Sequence, residues 1–435
     1  MAYSKAAKTY PQDRKAMRRN RCRSAVSKRH KSVETLTTTS RSKKRKIEYQ
    51  EWYHGLLPKT DTNKMLHNDG DFLVRRTKID DVAADLISVM WEKTVRHLQI
   101  KTVPHTGHVY VADKEFDTAV DLIAWYVRHA EPLGKNGAVL LNAIQRQYWE
   151  IRHDQLTLQK KLGEGAFGEV WLAQLNQHGH KTQVAVKRSH SPTELSKAEI
   201  EVMMREARVQ AKLDHRNVVK FFGVAAEKPP MMLVMEFVVC GSLDKFLQLR
   251  AGRLSQRRLT GFCLDAASGL KYLHSNECIH RDIAARNYLI TADDLVKISD
   301  FGLTKVGGAH VLGKHEKVPI KWLAIETLTD RVYTYKTDVW SYGITIWEIF
   351  SEGDEPYPGL TTVEVQEKVK NEGYRMQPPK VIPEKMAQLM NACWSTDPSE
   401  RPDFVKIEST IRRIEAEMTN SKKRKRKCSA STGRG

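Results

Sequence analysis

Between residues 163 and 302 the chain carries five short segments, in fixed order, whose side chains fit together around a phosphate. The first is Gly163-Glu-Gly165-Ala-Phe-Gly168-Glu-Val170. A G-x-G-x-x-G run alone is ambiguous, because dinucleotide-binding folds use one to open a helix. Here Glu169-Val-Trp-Leu-Ala173 continues as a strand, so the run reads as a hairpin whose glycines let backbone N–H groups approach phosphate oxygens. The second segment is Val184-Ala-Val-Lys187. On a strand Ala185 and Lys187 share a face, where the small Ala leaves room for a flat base and the Lys reaches phosphates. Alone, that tetrapeptide would read rather as a buried strand ending in a surface Lys. Nineteen residues on, Glu206 falls in a helical pattern and is available to pair with Lys187. The last two segments are His280-Arg-Asp282-Ile-Ala-Ala-Arg286-Asn287 and, thirteen residues beyond Asn287, Asp300-Phe-Gly302. Phosphoryl transfer asks little covalent help of a protein. It needs a divalent cation on oxygen ligands, a group to take the hydroxyl proton, and positive charge on the phosphates. Asn287 and Asp300 suit the metal, Asp282 the proton and Lys187 the phosphates.

Composition excludes several alternatives. No apolar run reaches the 18 or more residues of a membrane span, and the longest, Met231–Cys240 and Tyr342–Phe350, are broken by Glu236 and Glu348. The six cysteines show no C-x-x-C spacing, which argues against a zinc site or disulfide framework and for a reducing compartment. No secretory signal is expected, and Ala2 excludes N-myristoylation. The net charge of +20 is concentrated at the ends. Residues 1–46 hold 16 Lys or Arg against two acids, and 419–435 hold seven against none, so the stretch between is close to neutral. A basic nucleic-acid-binding fold is not supported.

The pattern divides the chain into a basic disordered segment (1–48), a small α+β domain (49–145), a polar linker (146–154), a larger domain (155–418) and a second basic disordered segment (419–435). In the small domain, 71–76, 86–91 and 94–102 read as strands, and 119–130 as a helix with Val120, Ile123, Ala124 and Val127 on one face. In the larger domain strands run from 156 to 186. A helix is expected to start at Ser191-Pro-Thr-Glu194, with a capping Ser and Pro at the first helical position. Beyond Gly241 the pattern is mostly helical.

With the five segments in this order, residues from about 155 to 418 resemble a two-lobed protein kinase domain, and specifically a cytoplasmic tyrosine kinase. Ala284 stands where serine/threonine kinases carry Lys, and Ala-Ala-Arg286-Asn287 follows the tyrosine-kinase pattern. Pro319-Ile-Lys-Trp322, Thr337-Asp-Val-Trp-Ser-Tyr-Gly343 and Cys393-Trp394 with Arg401-Pro402 add to the likeness. The resemblance implies ATP with Mg²⁺ (or Mn²⁺), a catalytic set of Lys187, Glu206, Asp282, Arg286, Asn287 and Asp300, and protein substrates. It places Leu162, Gly163, Gly165, Gly168 and Val170 over the nucleotide. Ala185 and Leu289 would flank the base, Met235 would be the gatekeeper, and Glu236 to Val238 the hinge.

The small domain resembles a Src-homology-2 domain through Trp52-Tyr-His-Gly55, Phe72-Leu-Val-Arg75 and His97. The resemblance implies a central antiparallel sheet flanked by two helices. It also implies tyrosine-phosphorylated partners held by Arg75, Thr77, Lys59 and His97. The chemistry agrees, since Arg75 closing an apolar strand is costly to bury unless it meets a dianion or a buried acid. Lys59 stands where many members carry Arg, and Gln99 where many carry Lys. The order of the two domains resembles the Fes/Fer group.

Two departures stand out. No Tyr lies between Asp300 and Glu326, where such kinases carry an autophosphorylation site, and the usual A-P-E reads Ala324-Ile-Glu326. Glu326 is still expected to pair with a basic residue of the large lobe. An alternative reading is a catalytically weak phosphotyrosine-binding adaptor, although Lys187, Asp282 and Asp300 are all kept. The basic ends, with Lys43–Lys46 and Lys422–Lys427, suit nuclear import receptors, anionic lipid or nucleic acid, or no partner. No stable membrane anchor is evident, and the expected location is cytoplasm and nucleus.

Overall fold

The computed structural model describes residues 46–80, 82–134, 137–165, 168–189, 196–313, 316 and 318–431, with side chains through Asn420. Its contacts form two compact units. One comprises residues up to Gln155 with Ser189–Met204 and Val224–Met232; the other comprises Leu156–Arg188, Arg205–Gly223 and the chain from Leu233.

The first unit is built on a sheet of order β3-β2-β1-β4, with β1 (Asp71–Ile79), β2 (Val82–Trp91) and β3 (Thr94–Gln99) antiparallel and β4 (Asn142–Ala143) parallel to β1. Phe72, Leu73 and Val74 start β1 and are buried. Helix α1 spans Lys59–Met65 and α2 spans Ala119–His129. Thr118 caps α2 by accepting from the Asp121 N–H. The buried face of α2 is Leu122, Ile123 and Tyr126 rather than the one expected, and Ala124 is exposed. Leu and Tyr have more apolar area to withdraw from water than Val and Ala, so they set the phase of the helix. The expected strand over 94–102 is interrupted at Ile100, and only Lys101–Thr102 resumes it. The polar segment 146–154 is tied down. His54 Nδ1 lies 2.8 Å from Glu150 Oε1, and buried Glu227 accepts from Arg146 Nη1 at 3.3 Å and from the His153 N–H at 3.0 Å.

The larger domain opens with a five-stranded sheet of order β8-β9-β7-β6-β5. Its strands are β5 (Leu156–Gly165), β6 (Gly168–Gln177), β7 (His180–Arg188), β8 (Phe221–Ala225) and β9 (Met232–Glu236). Helix α3 is described over Lys197–Gln210, and the expected cap at Ser191–Glu194 lies outside the described residues. The helical core of the second unit is organised by α4 (Leu243–Leu249), α5 (Gln256–Ser275) and α6 (Tyr335–Phe350). Reciprocal hydrogen bonds between Thr334 and Thr337 cap α6, and every residue from Thr337 to Phe350 is buried. A helix buried on all faces is a core helix, which accounts for the run that ends at Phe350. The last helix, α7 (Phe404–Ser431), corrects an expectation. Residues 419–431, read as disordered, continue it, because Lys and Arg are good helix formers and extending a packed helix requires no new nucleus.

Candidate active site

Lys187 lies next to the last residue of β7, paired across the sheet with Val170, and Ala185 precedes it on the same face, opposite Leu172. Its Nζ lies 3.0 Å from both carboxylate oxygens of Glu206 on α3 and 3.0 Å from Asp300 Oδ1. These groups lie 19 and 113 residues apart in the chain and meet in one cluster, with Lys187 and Glu206 buried and Asp300 half-buried. Burial works against the Lys187 charge, but Glu206 and Asp300 outweigh it and raise the pKa. Burial would raise Asp300 too, yet Lys187 holds it below the usual carboxylate range. Gly302 keeps this cluster open, since a Cβ there would stand 3.3 Å from Asp300 Oδ1 and 3.6 Å from Glu206 Oε2. Asp300 takes a left-handed φ of +57° and Arg281 one of +72°, conformations that cost free energy and concentrate where geometry serves function.

The catalytic loop is held from below by Asp338 of α6, which is fully buried and accepts from the His280 N–H at 2.8 Å and the Arg281 N–H at 3.0 Å. His280 meets the ring of Phe301 edge-on at 5.3 Å. Asp282 accepts from Arg286 Nη2, and the Arg286 guanidinium lies 4.3 Å from the Trp322 ring. Asn287 donates from Nδ2 to the Asp282 carbonyl at 2.8 Å, which fixes its amide. Glu348 of α6 accepts from the Ala285 N–H at 2.9 Å and the Trp322 indole at 3.1 Å, tying this loop to the segment that carries Trp322.

These residues fit a nucleotide and a hard cation. Asp300 and Asn287 offer oxygen donors of the kind Mg²⁺ takes. Among the described residues no group of three His, Cys, Asp or Glu is placed to hold a metal. A cation that retains water and phosphate ligands needs only one or two protein oxygens. A Cβ on Gly163 or Gly165 would meet nothing within 4 Å, so packing does not demand glycine there, and space remains for phosphates above the hairpin. Gly168 closes that hairpin opposite Gly165 with φ +135°. Leu162 is exposed on β5 and Val170 half-buried on β6. Met235 and Glu236 end β9 and Val238 is buried just beyond, while Leu289 lies on β10 (Tyr288–Ile290). The Glu236 carboxylate accepts from Lys297 Nζ at 2.9 Å, a contact the sequence does not suggest.

In the first unit Arg75 and Thr77 lie on one face of β1, and Arg75 is buried. Its Nη1 reaches only the Leu57 carbonyl at 3.4 Å, its Nε has no partner, and no acid pairs with it among the described residues. Burial alone lowers its pKa. His97 on β3 is bonded through Nδ1 to Ser88 Oγ at 2.9 Å, while its Nε2 is buried without a partner. Burial, followed by the charges of Arg75 and Lys59, pushes His97 down to about 4. An unsatisfied guanidinium donor beside a lysine suits an anion, and no buried acid satisfies Arg75 among the described residues.

Comparison with known proteins identifies both domains. The family of protein tyrosine and serine/threonine kinases matches residues 156–411, and the SH2 domain family matches 52–126. Fer-related kinase 1 of Caenorhabditis elegans is 37% identical over 388 residues, covering 88% of this chain and 98% of that protein. Tyrosine-protein kinase Fer of Homo sapiens is 36% identical over 376 residues, 85% of this chain but 44% of that protein. The Fps transforming protein of Fujinami sarcoma virus is 37% identical over 361 residues, 82% of this chain and 40% of that protein. The chain belongs to the Fer/Fps group of tyrosine kinases. It spans nearly all of one such relative and less than half of the Fer and Fujinami Fps proteins.

Two features of this kinase support the site from outside its motifs. Glu326 forms a bidentate pair with buried Arg401 at 2.7 and 2.8 Å, the large-lobe partner that the sequence leaves unnamed. Asp338 and Glu348 hold the catalytic loop, but in the sequence they are only an acid at a helix start and an interruption in an apolar run. Residues 1–45, including Lys43 and Lys44, lie outside the described residues.

Proposed function

We propose that this kinase transfers the γ-phosphate of ATP to tyrosine hydroxyls of proteins brought to it by phosphotyrosine held at Arg75. The observation that supports this best is the intact Lys187–Glu206 pair at 3.0 Å beside Asp300, the arrangement a kinase needs before phosphates can be positioned. Lys187 is fixed and charged, so it meets the phosphates without reorganising. Asp300 and Asn287 hold Mg²⁺ or Mn²⁺, which when bound neutralises charge on the phosphate oxygens. Asp282 takes the hydroxyl proton, and Arg286 keeps its carboxylate in place from beside Trp322, where the substrate ring is received. Arg75, Thr77, Lys59 and His97 bind the phosphotyrosine, with Arg75 as the donor that a dianion completes.

In the same reading, the basic clusters at Lys43–Lys46 and Lys422–Lys427 serve nuclear import receptors, and the kinase divides its time between cytoplasm and nucleus. Among the described residues no helix is long and apolar enough to cross a membrane.

The test is incubation of the purified chain with Mg-ATP and peptide libraries containing Tyr, Ser or Thr. Phosphate is expected on Tyr alone. Asp282→Asn should abolish turnover while nucleotide binding persists, because Asp282 acts on the hydroxyl. Failure of the unaltered protein to label any tyrosine peptide would refute the reading.

A further inference from the structure

The segment from Asp300 to Glu326 has no Tyr, yet an acid within it, Glu316, meets a buried arginine. Arg281, next to the catalytic Asp282, is buried, and its Nη2 lies 2.9 Å from Glu316 Oε1. The same guanidinium donates from Nη1 to the Leu303 carbonyl at 3.3 Å and lies 4.7 Å from the ring of Tyr333. The other Glu316 oxygen accepts from the Gly313 N–H at 3.2 Å, and the Glu316 N–H donates back to the Gly313 carbonyl at 3.2 Å. The carboxylate is therefore fixed by its own turn before it meets Arg281.

Further positive charge gathers here. Lys305 lies within electrostatic reach of Arg205, Arg281 and Glu316. Burial lowers the Lys305 pKa first, and the two arginines lower it further. Glu316 has its carboxyl held below the usual range against burial, chiefly by Arg281. A site in which Arg281 pairs with one carboxylate, with Lys305 adding positive charge nearby, suits an acidic group. In kinases the loop after the D-F-G motif is commonly ordered by a phosphate that pairs with arginine. Here the nearest downstream tyrosine, Tyr333, is fully buried beneath Arg281 and cannot accept one.

We propose that Glu316 is a positioning residue for phosphoryl transfer: a genetically fixed anion that takes the place of loop phosphorylation by pairing with Arg281 and thereby setting Asp282. The Arg281 N–H is anchored to Asp338, so the guanidinium end is the part of the residue left to be fixed by an anion. Pairing it with Glu316 stiffens the turn at residues 280–282 and joins it to the loop. The kinase is then assembled as synthesised, with control left to other parts of the molecule. This inference rests on the tyrosine-kinase reading.

The experiment uses the full chain with a tyrosine peptide. The unaltered protein is first treated with a tyrosine phosphatase and is expected to keep its activity. Glu316→Gln should lower kcat about tenfold or more, the scale of one charge-assisted hydrogen bond felt in the transition state, with nucleotide affinity and melting temperature near the parent's. Glu316→Tyr should be equally weak until an added tyrosine kinase phosphorylates position 316, should then recover, and should fall again with phosphatase. Parental kcat in the Gln variant, loss of the parent's activity on phosphatase treatment, or indifference of the Tyr variant to phosphorylation would each overturn the proposal. If the Gln variant melts far below the parent, the Tyr variant decides the matter, since one folded protein is compared before and after modification. A parent with no tyrosine activity at all would refute the kinase reading instead.

Discussion

Arg75 shows how much a single residue can declare. A guanidinium buried within a strand without an acid partner costs stability, and in the proposed reading a ligand completes it. Arg75→Ala should weaken phosphotyrosine-peptide binding by about 1.5–3 kcal/mol, the range for hydrogen bonds to charged groups, and leave unphosphorylated peptide unbound as before. Titration calorimetry measures this, and equal affinities would make Arg75 structural. Glu348 is the opposite case, a buried acid in a position where its charge is unwelcome. Burial outweighs its two donors and pushes the carboxyl up to about 7 from an ordinary 4.5. A raised carboxyl favours the protonated folded state, so its contribution is fully present below pH about 4.5 and is lost as pH rises through about 7. Each tenfold gain in proton affinity on folding is worth roughly 1.4 kcal/mol. Glu348→Gln keeps an acceptor for Ala285 and Trp322 but has no charge to lose. Its melting temperature, set against the parent's, should therefore improve between pH 5 and pH 8. A constant difference across that window would contradict the assignment.

At the scale of elements, a motif is legible where its residues are consecutive and illegible where the fold supplies the neighbour. The catalytic loop, the D-F-G segment and the Phe72–Arg75 strand can be read directly because their chemistry is local. Lys187 and Glu206 can be paired because a strand and a helix each present one face. Glu316 sits among ordinary charged residues 35 positions from Arg281, and Asp338 lies 57 from the N–H it holds, so neither role exists until the chain has folded. Periodicity alone misplaces the phase of α2 because it does not weigh side-chain size. For residues 419–431 composition suggests disorder, while the adjoining packed helix offers a template that composition cannot reveal. Glu326 lies between these cases: its need for a cation is legible, and Arg401, 75 residues on, is not. Breaking a buried pair strands the remaining charge, typically at about 3–5 kcal/mol. Glu326→Ala should therefore lower the melting temperature of the kinase domain markedly, whereas exposed Glu355→Ala, which frees only a rim contact with Lys321, should barely move it. Equal shifts for the two variants would show that the Arg401 pair carries no special weight.

At the scale of the whole molecule, charge is the property the two sites leave unexplained. The net +20 resides almost wholly in residues 1–46 and 419–435, flanking a stretch whose acids and bases nearly cancel. Net charge of this kind bears on solubility and association rather than on the fold. Lys422 to Lys427 are six consecutive cations, and like charges at i,i+4 oppose a helix. The turns that carry them are therefore the easiest part of α7 to unwind onto an acidic surface. An import receptor and an anionic membrane both offer that surface. Lipid attraction of about 1 kcal/mol per basic residue acts only within a Debye length and weakens with salt, so without an acyl chain it is readily reversed. A receptor groove that pairs individual side chains is less sensitive to that competition, and two separated clusters give it two points of attachment. A fluorescent fusion of the full chain should accordingly enter the nucleus. Changing Lys43–Lys46 and Lys422–Lys427 to Ala should leave it in the cytoplasm with kinase activity intact, since neither cluster belongs to the catalytic set. A variant distributed like its parent would refute import, and a parent lining the plasma membrane would put lipid in the receptor's place.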